Sequence, residues 1–166
     1  ELAAIKDEAP KVSLEEPLND KFVTPNAIVP IRATIDDDFG VARVRIVYQV
    51  AAGNSEPTRQ EVVNLYPRES VSAPAKHLPV AHDWDLAGLE LQPGAIVSFH
   101  IDAIDHDNLN GPNLGKGREV RLRVISKQEY APLLEERERE LREETQRILE
   151  MQKQALTGVQ EVEKVL

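Results

Sequence analysis

Between residues 11 and 125 the chain is written in steps of two. Ala95, Val97, Phe99, Ile101 and Ala103 alternate with Ser98, His100 and Asp102, the signature of a strand with one buried face. Val29, Ile31, Ala33 and Ile35 alternate with Arg32 and Thr34. Ala42, Val44, Ile46, Tyr48 and Val50 do the same against Arg43, Arg45 and Gln49. Leu78, Val80, His82, Trp84 and Leu86 share a face, as do Val120, Leu122 and Val124 against Arg121 and Arg123. Thr58 to Tyr66 adds a strand carrying Val62, Val63 and Leu65, and Lys11 to Glu16, stopped by Pro17, suits an edge strand. Turn chemistry separates these runs: Asp36-Asp37-Asp38-Phe39-Gly40, Ala51 to Pro57, Pro93-Gly94, and Asp105 to Asn113. Residues 67 to 77 follow no pattern. The spacing predicts a mainly β domain over 1–125, with 1–10 a polar lead-in. Its expected form is an immunoglobulin-like antiparallel β-sandwich of about seven strands.

At Ser126 the period changes. Ser126-Lys127-Gln128-Glu129 fits a capping box, in which each side chain satisfies a free backbone N–H at a helix start. Residues 126–166 are therefore expected to form a long charged α-helix, kinked or restarted at Pro132 and bent at Gly158. Glu135–Arg139, Glu138–Arg142 and Glu143–Arg147 stand four apart with Glu first, the favourable order. Leu134, Leu141, Ile148, Ala155 and Val162 recur every seven residues, while the companion seam of Glu138, Thr145 and Gln152 is polar. That is a partial heptad stalk. Its stripe predicts packing against a partner helix, either a protein partner or a second copy.

Composition narrows what the domain does. Of 166 residues 41% are hydrophobic but only 4% aromatic, so aliphatic side chains must fill the core. A net charge of −9 speaks against a nucleic-acid binder, which wants a basic face. No run of about 18 apolar residues occurs, so no membrane contact is expected of this segment itself. The absence of cysteine removes disulfides and thiolate sites from consideration and leaves the redox compartment open. The chain starts at Glu1 and stops inside a helical pattern, as a piece of a longer protein would.

The candidate chemistry lies in two acidic loops. In a sandwich of this topology, Asp36, Asp37 and Asp38 would share one end with Asp105, Asp107 and Asn108. Hard cations such as Ca²⁺ take six to eight oxygen ligands, which two such loops could supply. The same residues also make ordinary turns by hydrogen-bonding nearby backbone. No other cofactor is expected. His77, His82, His100 and His106 form no pair with metal-ligand spacing, and His82 beside Trp84 reads as a core residue. Gly111 to Gly117 is one residue short of a phosphate loop and leads into a strand instead of a helix. No nucleophile signature is present, so the chain is expected not to be an enzyme.

Several features together resemble a module of large bacterial envelope proteins: Asp37-Asp38-Phe39-Gly40 before the strand Val41 to Tyr48, Trp84-Asp85-Leu86 leading to Pro93-Gly94, Ala103-Ile104-Asp105-His106-Asp107, and the charged helix from Ser126. The approach Leu89 to Gly94 is also similar to that of fibronectin type III domains, although Val97 stands where those carry Tyr. The resemblance implies an extracytoplasmic, immunoglobulin-like domain of a membrane-anchored protein, next to coiled-coil helices, with no known ligand. The expected function is a non-catalytic structural or interaction module, a sandwich spacer on a stalk. The alternative is a Ca²⁺-dependent or carbohydrate-binding domain using the acidic loops.

Overall fold

The computed structural model describes residues 7–53, 55–57, 60–66, 75–106 and 111–163, the last eight as backbone alone. The chain divides into two compact units, Glu1–Ser126 and Lys127–Leu166. The first is mainly β: β1 (Lys11–Glu16), β2 (Lys21–Val23), β3 (Ile28–Ala52), β4 (Glu61–Tyr66), β5 (Ala75–Asp85), β6 (Ala95–Asp105), β7 (Leu114–Lys116) and β8 (Val120–Val124). The second is one helix, α1 (Lys127–Glu163).

The eight strands form one curled sheet organised on β3, which crosses it from end to end. Residues 28–36 of β3 pair with β5, and residues 32–36 lie between β1 and β5, with Ala33 opposite both Leu14 and Val80. Residues 44–48 lie between β4 and β6, with Tyr48 opposite both Glu61 and Phe99. β6 continues outward to β8 and, further along, to β7. β2 then pairs with β8 in parallel, Phe22 opposite Arg123, so the sheet is mixed where the sequence predicted a wholly antiparallel one.

The predicted turn at Asp36–Gly40 is not a chain reversal. On β5 the register advances two residues, His77 to Ala75, while β3 advances five, Asp36 to Val41. The surplus residues bulge and bend the strand, carrying it from one set of neighbours to the other. Asp37 Oδ2 accepts from the amides of Phe39 (3.1 Å) and Gly40 (2.5 Å), the short-range bonding that makes Asp a turn former. Gly40 sits at φ 106°, a conformation closed to residues with a Cβ.

The inward-facing residues from β1 to β8 make a single core. Its aromatic centre is Trp84 of β5, 5.2 Å from the Tyr48 ring and 5.4 Å from the Phe99 ring. Offset and edge contacts of this kind suit the ring quadrupoles. Two close approaches bring β1 and the residue before it against β7 and the residue after it. A Cβ on Gly115 of β7 would lie 1.8 Å from Pro10 O, and one on Gly117 would lie 3.0 Å from Val12 Cγ1. Arg118, just before β8, donates to the carbonyls of Leu14, Pro17 and Leu18 and so holds the crossing from β1 to β2.

Candidate functional site

The bend of β3 and the end of β6 place the acidic loops at one pole of the β unit. His106 N donates to Gly40 O at 3.1 Å, joining the two. Asp38 and Asp105 come close enough to Asp37 for their charges to act on it. Burial first, and then the negative charges of Asp105 and Asp38, push the Asp37 carboxyl up, against the two backbone amides that hold it down. Asp36 is exposed, 2.6 Å from His77 Nδ1. Asp38 is exposed. Asp107 and Asn108 lie outside the described residues.

Asp105 is 2% exposed, and both of its oxygens are taken by Asn113. The Asn113 amide N donates to Oδ1 and its Nδ2 to Oδ2, each at 2.9 Å. The same Nδ2 reaches Asp7 Oδ2 at 3.0 Å, tying in the N-terminal segment. Beside this clasp lies a shallow concavity lined by Glu8, Ala9, Lys11, Asp36, Asp37, Asp38 and Lys76, in which two lysines balance part of the negative charge. Asp37 Oδ1 is buried and accepts no hydrogen bond from the described residues. Among the described residues no group of three or more His, Asp or Glu side chains is arranged to hold a metal ion.

A second cluster escaped the sequence pattern. Alternation predicts His100 and Asp102 on the outer face of β6, yet they are 7% and 4% exposed. Arg45 of β3 lies 3.2 Å from Asp102 Oδ2, and His100 Nε2 lies 3.1 Å from Oδ1. Burial holds the His100 imidazole below the usual histidine range, outweighing the Asp102 charge that would raise it. A period of two tells inside from outside but not whether the outside is covered. The available signal is Val47, an apolar residue on that outer row, opposite His100 in the register and itself buried.

On α1 the stripe is open. Leu134, Leu141 and Ile148 are each close to half exposed, with Leu133 and Met151 beside them, and Ala155 is exposed too. Val162 falls where only the backbone is described. The helix is continuous through Pro132 and Gly158, so Pro132 does not restart it and Gly158 does not end it. Of the predicted pairs Glu138–Arg142 forms, at 3.1 Å. Arg139 pairs with Glu136 instead of Glu135, and Arg137 with Glu140.

Fold and surface together define a mainly β unit with a closed acidic clasp, followed by a helix with an open apolar stripe. No protein-family model and no curated protein matches the chain. Among solved structures it is similar to the crystal structure of Spo0M, a sporulation control protein from Bacillus subtilis. The TM-score is 0.40 at 9% identity, over 72% of this chain and 51% of that one. The chain thus spans about half of that protein's length.

Proposed function

We propose that the chain is a non-catalytic interaction module, an immunoglobulin-like sandwich spacer carried on a helical stalk, in an extracytoplasmic, membrane-anchored bacterial protein. The pairing order supports the sandwich. β1 and β5 flank the first part of β3, whereas β4 and β6, with β8 and β2 beyond, flank the second, so that the bend of β3 would separate two layers. The resemblance to envelope modules supports the location.

The observation that carries the interaction role is the exposed Leu134–Leu141–Ile148 stripe on a 37-residue helix. At about 1.5 Å per residue the helix extends for roughly 55 Å. A single helix in water gains little from its own backbone and is stabilised by burying its apolar face. Self-association is the expected outcome in sedimentation velocity, and Leu141→Glu is expected to shift the species to monomer. A wild-type chain that stays monomeric at the highest attainable concentration would remove self-association from the proposal and leave the stripe to a different protein.

Asp37 Oδ1 favours a second reading, a Ca²⁺ site at the acidic pole. It is buried without a donor among the described residues, beside Asp38 and Asp105. Against it, Asp36, the other Asp37 oxygen and Asp105 already have partners. The test is thermal melting in millimolar Ca²⁺. No shift is expected if the pole is only a clasp, whereas a rise in melting temperature abolished by Asp37→Asn would establish the cation site.

A further inference from the structure

We propose that α1 docks on α1 of a second copy of the chain, antiparallel and centred on Leu141; this rests on the self-association proposed above and fixes its geometry. The pattern of the helix is self-complementary when reversed. Leu134 and Ile148 stand at equal distances on either side of Leu141. An antiparallel pair therefore sets Leu141 against Leu141, and Leu134 against Ile148 of the second copy.

The charges choose between orientations. At helical spacing Arg137 and Glu144 lie on one flank of the stripe, and Glu138 and Arg142 on the other. In antiparallel pairs each flank meets its own counterpart running the other way. Arg137 then meets Glu144, Glu138 meets Arg142, and the exposed Leu133 meets the exposed Met151. Symmetry repeats each contact. In a parallel pair in register, opposite flanks meet, and Arg137 falls against Arg142. Flanking charges of this kind set partner and orientation in helix pairs. Within the helix Arg137 leans on Glu140 and Arg142 on Glu138, while Glu144 belongs to none of the ion pairs among the described residues. Glu144 is the acid that Arg137 of the second copy would take up.

The chain has no cysteine, so single introduced thiols report proximity without background. Leu141→Cys is expected to cross-link to itself on oxidation. Leu134→Cys and Ile148→Cys are each expected to remain uncross-linked alone and to form a mixed disulfide when combined. Self-cross-linking of Leu134→Cys would overturn the antiparallel orientation while leaving self-association intact. Failure of Leu141→Cys to cross-link, together with a monomer in sedimentation, would overturn both. Independently, Arg137→Glu is expected to weaken association roughly tenfold, since each lost pair occurs twice. Adding Glu144→Arg to the same chain is expected to restore it, and no restoration would also overturn the orientation.

Discussion

His100 shows at a single side chain how burial and charge compete. Beside it stands a carboxylate that would ordinarily raise its pKa, yet desolvation prevails and lowers it. The sign for stability follows. Unfolded, the imidazole takes its proton near a pKa of about 6.5; folded, it does so only at lower pH. Stability is complete above that ordinary value and falls as the pH drops through it toward the folded one, because the unfolded chain binds the extra proton. His100→Gln is expected to flatten the decline in melting temperature below about pH 6.5, relative to the wild type. If the two melting curves stay parallel across that range, His100 does not titrate between the states.

At the scale of elements, the sequence pattern was legible wherever periodicity had room to repeat. Both parts of β3, and also β5, β6 and β8, largely bury the faces that alternation assigns to them; the exception is the start of the second part of β3, where Val41 enters the core in place of Ala42. The strands it missed, β2 and β7, are three residues each, too short for a period of two to register. The turn at Asp36–Gly40 was legible as chemistry but not as topology. Asp37 folding back on two amides is a local event, while bending or reversal depends on partners far away in sequence. The clasp had the same fate: Asp105 could be singled out, but its partner Asn113 and the approach of Asp7 could not. Arg118 belongs here too, since nothing nearby in sequence announces that it gathers three carbonyls from the β1–β2 crossing. Arg118→Ala removes charge-assisted bonds and is expected to destabilise the β unit by about 2–3 kcal/mol, read from chemical denaturation. A change below about 0.5 kcal/mol would mean that water replaces the guanidinium without loss.

For the whole molecule, the consequence of β3 is cooperativity. Among the described residues the core side chains belong to the β unit, and one strand contributes to both groups of neighbours. Neither group can open without taking β3 from the other, so the β unit is expected to unfold in one transition. Phe99→Ala is expected to lower its stability by about 3–5 kcal/mol. The loss should appear equally in Trp84 fluorescence and in far-ultraviolet circular dichroism, after the α1 contribution is separated. Probes that part company would show the two groups of strands opening independently.

The parallel pairing of β2 with β8 acquires a meaning if the chain is a tether. One strand lies near the entry of the β unit and the other at its exit, running in the same direction. Tension applied to the two ends, once it has stripped β1 from β3, slides them past each other lengthwise. The bonds between them, with the Asp20 side chain on Arg121 N and Val23 O on Ile125 N at either end of the ladder, are then loaded in shear and must give way together. A hairpin pulled from its open end parts one bond at a time. A spacer closed in this way would hold its length under a steady pull.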